Sequence, residues 1–209
     1  MAGRDGAAFP VLRWVAVVWM AIWLPAYVHV WGWANLLHLC DAAVILTCVG
    51  LWVGSATLLS SQAVSALFAG LLWTANVSWR ALTGRFFARG SEYMWDPQYP
   101  LWVRLLSFFH VLLPAVLLYA LWKRGYDRRG LALQAAIAAM LLIAAWFLPA
   151  ELNTNYAHRD PLFNRGWGPA PVHLAVIFVG LAGLLYWPTH LALMKLFPAA
   201  DTRSPQKSG

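Results

Sequence analysis

The chain has 209 residues, of which 61% are hydrophobic and only 11% are charged, and its mean hydropathy is +0.60. Soluble domains carry about 25% charged residues, so this composition excludes an ordinary soluble domain and indicates an integral membrane protein. The formal net charge of +7 does not indicate nucleic-acid binding, because the basic residues stand in short runs beside apolar segments, where anionic lipids attract them.

Six apolar segments are long enough to cross a membrane, because a hydrocarbon core about 30 Å thick needs roughly 20 residues of helix. They predict an all-α polytopic membrane protein, a bundle of six transmembrane helices at about residues 11–30, 37–55, 62–82, 101–122, 131–148 and 172–196. Residues 1–198 are predicted to form a single transmembrane domain, and residues 199–209 a disordered polar tail. The first segment has no small-residue cleavage site and is interpreted as a retained helix.

Lysine and arginine predict the orientation of the bundle. With both termini in the cytoplasm, the inner segments hold Arg4, Arg13, Lys123, Arg124, Arg128, Arg129, Lys195, Arg203 and Lys207, and the outer segments hold Arg80, Arg85, Arg89, Arg104, Arg159 and Arg165. This bias of nine against six favours a multi-pass protein of the bacterial inner membrane with cytoplasmic N- and C-termini. The outer loop at residues 80–100 is contrary evidence, and its aromatic side chains predict that it lies along the membrane interface.

Polar side chains gather at one predicted face of the membrane. Successive antiparallel crossings bring the end of each odd helix and the start of each even helix to the same face. That face holds His29, His38, Cys40, Asp41, Asn76, Glu92, Asp96, His110, Asn153, Asn155, Tyr156, His158 and His173. The opposite face has the basic turn at residues 123–129 and His190, so a functional site is predicted at the first face.

Asp41 lies about one turn inside the second predicted helix. A carboxylate there either faces a wet interior with a partner or is an interfacial residue that the helix N-terminus stabilises. His38 is three residues earlier and about 60° away around a helix, so Asp41 could orient its ring. His38, Asp41 and Asn76 are candidate binding residues.

Cys40 is the candidate nucleophile. It stands about 200° around the helix from His38, so these two side chains cannot pair, and a base must come from another helix. His110, about 13 Å into the fourth helix from the same face, is the candidate base. The alternatives are that Cys40 is an inert apolar filler and that His110 only makes a hydrogen bond across the bundle. Cys48 is eight residues from Cys40 in the same helix, too far for a disulfide.

No metal or other cofactor is predicted. No two histidines have the i, i+4 spacing of a helical ligand pair, no C-x-x-C occurs, and the spacing gives no support to haem ligation. After the fifth predicted helix, Asn153, Asn155 and Tyr156 either bind a lipid headgroup or form a turn.

Four short motifs carry a family resemblance: Leu-His-Leu-Cys at 37–40, the histidine at 110, Asn-Thr-Asn-Tyr at 153–156 and Gly-Pro-x-Pro at 168–171. Over about residues 30–197 the chain resembles the six-helix bacterial integral membrane proteins of the YwaF type and their eukaryotic relative, a transmembrane acyltransferase that moves acyl chains between phospholipids. The resemblance implies that Cys40 accepts the acyl group and that His110 is its base.

The chain also departs from that pattern. Asn-Leu-Leu-His precedes the cysteine where the family tends to have Pro-Leu, and an aspartate follows it directly, which disfavours the thiolate. A second similarity is to uncharacterised bacterial membrane-associated proteins, through Met-x-Asp-Pro at 94–97, Leu-Ser-x-Phe-His at 106–110 and Gly-Tyr-Asp-Arg-Arg at 125–129. It implies no biochemical function.

Three functional hypotheses remain open. The first is a lipid acyltransferase or lipid hydrolase in which Cys40 and His110 are catalytic and Asn153, Asn155 and Tyr156 hold the headgroup. The second is a non-catalytic lipid-binding or accessory subunit, with membrane lipids, other membrane proteins or a second copy of the chain as partners. The third, a small-molecule transporter, needs a water path, and the one-sided polarity and lack of internal repeats argue against it.

Overall fold

The computed structural model describes residues 9–197. The predicted polar tail and the basic residues Arg4, Arg203 and Lys207 therefore lie outside the described residues. The α-helices are α1 (Leu12–Trp31), α2 (Leu39–Val53), α3 (Ala56–Thr83), α4 (Leu101–Leu106), α5 (Phe109–Arg124), α6 (Arg129–Trp146), α7 (Ala170–Gly180) and α8 (Trp187–Leu196). Short 3₁₀ helices occupy Trp33–Leu37, Glu92–Trp95 and Thr154–Tyr156, and a π-helical segment, Leu181–Tyr186, joins α7 to α8.

The predicted class is confirmed: this is an all-α, multi-pass membrane protein. Among the described residues, five helical spans are long and apolar enough to cross a membrane, at Leu12–Trp31, Ala56–Thr83, Leu101–Arg124, Arg129–Trp146 and Ala170–Leu196. Helix α2 is apolar but has only 15 residues. It is therefore about 22 Å long, less than the thickness of the hydrocarbon core.

Helix α2 starts two residues later than predicted. His38 has extended backbone angles (φ −62°, ψ 138°) and ends the preceding 3₁₀ helix, so α2 begins at Leu39. The helix ends at Gly54, whose left-handed conformation (φ 69°) closes the last turn. The guanidinium of Arg124 donates a hydrogen bond to the Gly54 carbonyl, which places the two C-terminal ends of α2 and α5 together.

Helix α3 is at the centre of the bundle, where it packs against α2, α5 and α6. Small side chains make these contacts close. A Cβ atom added at Gly50 of α2 would lie 3.0 Å from the Leu59 side chain, and one added at Gly130 of α6 would lie 2.7 Å from Ser60. Small residues at these contacts thus allow the helices to approach where bulky apolar side chains would separate them.

The fourth predicted span is interrupted between α4 and α5. Hydrogen bonds of the 3₁₀ type replace the α-helical pattern there, from Ser107 N to Arg104 O and from His110 N to Ser107 O. His110 is therefore in the first turn of α5 rather than in the middle of a continuous helix.

The loop after α3 folds back over the polar end of the bundle. Asn76 of α3 accepts hydrogen bonds from the backbone of Phe87 and Ala88 and donates to the Ser91 hydroxyl. The Tyr93 ring then packs edge-on against Trp31 of α1, with ring centroids 5.8 Å apart. This segment, predicted to lie along the interface, covers the end of the bundle where the polar residues gather.

Candidate functional site

An apolar cavity of about 60 Å³ lies between α2, α3, α5 and the π-helical segment. Cys40 and His110, the two predicted catalytic residues, both line its wall. Ala66 and Gly70 of α3 and Leu185 of the π-helical segment form other parts of the lining. The structure therefore brings the candidate nucleophile and the candidate base to one cavity, although they come from different helices.

His110 is held in one tautomer. Its Nδ1 lies 2.8 Å from the carbonyl oxygen of Ser107, and because a carbonyl can only accept, Nδ1 must carry the proton. The other ring nitrogen, Nε2, then has a free lone pair. No described residue hydrogen-bonds to Nε2, so this nitrogen is available as a proton acceptor.

Aromatic rings fix the orientation of the His110 imidazole. The ring stacks on Trp73 with centroids 4.6 Å apart and an interplanar angle of 9°, and on Phe109 at 4.1 Å and 24°. Aromatic faces attract cations, so these two rings offset part of the cost of protonating a buried imidazole. His38 also lies close enough to His110 for the two rings to interact electrostatically.

Cys40 is the second residue of α2, and its thiol donates to its neighbour. The Cys40 Sγ is 3.8 Å from Asp41 Oδ1. Asp41 is only 3% exposed, and its Oδ2 accepts a hydrogen bond of 2.6 Å from the side-chain amide of Asn35. The carboxylate is therefore buried within the protein and hydrogen-bonded, and it lies in the first turn of α2, where the helix N-terminus favours negative charge.

The sequence predicted a direct contact between His38 and Asp41, but each of them makes a hydrogen bond with Asn35 instead. The His38 Nδ1 donates to the backbone carbonyl of Asn35 at 2.9 Å, while the Asn35 amide bonds Asp41. The predicted pairing assumed that His38 is helical, and its extended backbone removes that geometry. The only signal for Asn35 in the sequence is a polar side chain near a buried aspartate.

Two tyrosines form a second polar layer that the sequence did not predict. The Tyr27 hydroxyl and the Ser107 hydroxyl are 2.6 Å apart, and Trp73 donates to the Tyr93 hydroxyl at 3.2 Å. Both tyrosines lie within electrostatic range of Asp41. Burial raises the pKa of the loop residue Tyr93, so its hydroxyl stays protonated. Aromatic residues near helix ends resemble an ordinary interfacial belt, which explains why they were not singled out.

Asn76 and Asn153 hold loops together. The Oδ1 and Nδ2 atoms of Asn76 both make hydrogen bonds with the loop at 87–91. The Asn153 side chain makes hydrogen bonds with the backbone of His158 and Arg159. Neither residue lines the cavity. Contact of Asn76 and Asn153 with a ligand stays a prediction. For Asn153 the alternative was that it forms a turn, and its hydrogen bonds to the backbone of His158 and Arg159 show that it does.

Asn155 and Tyr156 connect the loop after α6 to the site. The Asn155 side chain bonds the backbone on both sides of His38, and the Tyr156 hydroxyl donates to the Arg89 carbonyl at 3.1 Å. Burial, with smaller contributions from Cys40 and Glu92, raises the pKa of Tyr156 to about 12, so it is neutral at physiological pH. Tyr156 thus lies within electrostatic range of Cys40.

Within residues 9–197, no three His, Cys, Asp or Glu side chains are grouped closely enough to hold a metal ion. His173, for example, uses both ring nitrogens elsewhere: Nε2 donates to the Tyr156 carbonyl, and Nδ1 accepts from Trp167 N.

These features define a class: a multi-pass helical membrane protein with buried polar groups and a small cavity at one end of its bundle. The chain matches no protein-family model, no curated protein and no solved structure. Inference about its function therefore rests on the residues of the site.

Proposed function

We propose that the protein is a membrane enzyme that transfers or hydrolyses the acyl group of a lipid, with Cys40 as nucleophile and His110 as base. One observation supports this most: Cys40 and His110 line the same apolar cavity, and the His110 proton is on Nδ1, which leaves Nε2 unprotonated. An apolar lining suits the hydrocarbon adjoining a lipid ester, and exclusion of water strengthens electrostatic interactions inside the cavity.

The chemistry divides into two steps. In the first, the Cys40 sulfur attacks the ester carbonyl carbon, the thiol proton moves to His110 Nε2, and the carbon–oxygen bond breaks to leave a thioester. The proton then passes from His110 to the departing alcohol oxygen. In the second step, water or a lipid hydroxyl attacks the thioester, gives its proton to His110, and the Cys40 sulfur leaves and recovers a proton.

Two opposing electrostatic effects act on the thiolate form of Cys40. Its position in the first turn of α2 favours the thiolate, because the N-terminus of a helix stabilises negative charge. The adjacent carboxylate of Asp41 opposes it, and the hydrogen bond from Asn35 offsets part of that charge. The aromatic faces of Trp73 and Phe109 stabilise the imidazolium that forms when His110 takes the proton.

The loops at the polar end of the bundle are proposed to meet the lipid headgroup. Tyr156 and the segment that contains Asn153 and Asn155 adjoin the start of α2. The opposite end carries the basic turn with Lys123, Arg124, Arg128 and Arg129. With that turn in the cytoplasm of a bacterial cell, the site belongs to the outer half of the inner membrane and the termini are cytoplasmic.

The test uses the purified protein in liposomes that contain a phospholipid with a labelled acyl chain. Wild-type protein is expected to release or transfer the label and to carry a hydroxylamine-sensitive acyl adduct on Cys40. The Cys40→Ala variant is expected to lose both signals. Cys48→Ala, on the same helix, is the matched control and should retain them. Undiminished turnover by Cys40→Ala rules out the proposed nucleophile.

A second candidate is a non-catalytic lipid-binding or accessory subunit. The hydrogen bond of the Cys40 thiol to Asp41, rather than to His110, favours it. It predicts that wild-type protein has no acyl turnover, that the Cys40→Ala variant behaves as wild type, and that a stable complex with another membrane protein is purified in mild detergent.

A further inference from the structure

The start of α2 is capped by a residue from a distant part of the chain. His38, which precedes the helix, makes no capping hydrogen bond with its side chain. Instead the Asn155 Oδ1 accepts from Leu39 N at 2.8 Å, across 116 residues of sequence. The first backbone N–H of α2, which has no partner within the helix, is thus satisfied from the loop after α6.

The same side chain also holds the residue before the helix. Asn155 Nδ2 donates to the Leu37 carbonyl at 2.8 Å. Because His38 is extended, the carbonyl before it and the N–H after it point to the same side, and one amide group bonds both. This two-point contact fixes the backbone at the position where the chain turns into α2.

The loop that carries Asn155 is itself held in place. Asn155 is 7% exposed and has a left-handed backbone (φ 54°, ψ 21°), a conformation that asparagine adopts more readily than most residues. The next residue, Tyr156, also has positive φ, and its carbonyl accepts a hydrogen bond of 3.0 Å from His173 of α7. The loop that contacts α2 is therefore itself held in place, by a hydrogen bond to α7.

Cys40 follows Leu39 directly, so the position of its thiol depends on the first turn of α2. We infer that Asn155 is a positioning residue for Cys40: by capping α2 from outside, it holds the thiol at the wall of the cavity that also contains His110. The catalytic consequence rests on the proposed function, but the effect on the thiol does not. Both side-chain amide atoms of Asn155 are used in this contact, so the role inferred here differs from the headgroup binding predicted from the sequence.

The reactivity of Cys40 with N-ethylmaleimide, measured by mass spectrometry in liposomes over a range of pH, tests this role. In Asn155→Ala the first turn frays, and the rate at Cys40 is expected to rise roughly fivefold or more, with a pH profile closer to that of an exposed thiol. Cys48, about two turns further along α2, should react at an unchanged rate. Acyl turnover, if the proposed function is correct, falls as the thiol reactivity rises.

Two further variants separate positioning from general damage to the loop. Asn155→Asp keeps the acceptor for Leu39 N but loses the donor for the Leu37 carbonyl, so its Cys40 rate should lie between those of wild type and Asn155→Ala. Asn153→Ala removes hydrogen bonds that lie within the loop but leaves both contacts of Asn155 with α2, so it should change the Cys40 rate much less than Asn155→Ala does. Equal changes in Asn153→Ala and Asn155→Ala, or an unchanged pH profile in Asn155→Ala, overturn the inference.

The outcome also separates this inference from the proposed function. A change in Cys40 reactivity without acyl turnover in any variant supports the positioning role and contradicts the enzyme. Turnover that persists in Asn155→Ala, with Cys40 reactivity unchanged, supports the enzyme and contradicts the positioning role. If Asn155→Ala does not fold, Asn155→Asp replaces it in the comparison: the inference requires that Cys40 react faster in Asn155→Asp than in Asn153→Ala.

Discussion

Gly70 of α3 packs directly against the backbone carbonyl oxygen of His110. That oxygen has no helical partner, because the residue four positions later is Pro114, which lacks an N–H. A Cβ atom at position 70 would collide with this oxygen and approach the Pro114 ring to 2.9 Å. The proline and the glycine together therefore determine how closely α3 and α5 approach beside the cavity.

Gly70→Ala is expected to destabilise the protein by about 1–3 kcal/mol, the usual cost of overpacking a tight contact, and to displace His110. Thermal unfolding in detergent measures the change. Gly180→Ala is the control, because an added Cβ there meets no atom within 4 Å. Equal thermal stability of the two variants would show that the contact at Gly70 has room for a methyl group.

His110→Asn is expected to lower acyl turnover at least about a hundredfold while the protein stays folded. Asparagine keeps a donor for the Ser107 carbonyl but has no basic nitrogen in place of Nε2. The measurement is turnover of labelled phospholipid in liposomes. His29→Asn, at an exposed histidine of α1, should have wild-type turnover. Normal activity in His110→Asn would exclude His110 as the base.

Asp127 is expected to make stability depend on pH in the acid range. Hydrogen bonds from Arg129, and with them one from Thr57, lower the pKa of Asp127 to about 2, below its ordinary value of 3.8. A lowered pKa in the folded state means that the contribution is complete above about pH 4 and is lost as the pH falls through about 2.

The size of that contribution is limited, because the Arg129 side chain is 81% exposed. Asp127→Asn should lower Tm by about 2–4 °C at pH 7 and should lose less stability than wild type between pH 4 and pH 2. Thermal unfolding in detergent at several pH values checks this, with the exposed Glu151→Gln as control. An identical pH dependence of wild type and Asp127→Asn would contradict the assignment.

Hydropathy located most helix ends to within about two residues, because each apolar run is visible in the sequence by itself, but α3 begins at Ala56 rather than at residue 62, and α2 is too short to count among the five candidate spans. The sequence also predicted that Cys40 and His110 lie at the same end of the bundle, where both now line one cavity. That prediction needs only the number and order of the helices, because successive antiparallel helices alternate in direction. The conformation of His38 could not be predicted in this way. Its extended backbone is held by Asn155, and nothing near position 38 in the sequence indicates that distant contact.

The polar contacts near the cavity could not be predicted from the sequence for the same reason. Tyr27 and Ser107 meet across 80 residues, and Asn35 reaches Asp41 only because a 3₁₀ helix brings it back over the start of α2. Helical spacing alone placed His38 beside Asp41, since it assumed one continuous helix. Irregular turns at helix ends depend on tertiary hydrogen bonds, and these determine the detail of the site.

The 15 residues of α2 have a consequence for the depth of the site. If Gly54 is level with one boundary of the hydrocarbon core, a helix of about 22 Å in a core of about 30 Å leaves its first turn about 8 Å below the other boundary. A molecule that reaches Cys40 from that side passes through the zone where glycerol meets the fatty chains. Such a molecule would then reach Cys40 by lateral diffusion within one leaflet. Only molecules that dissolve in the lipid would have access to the thiol.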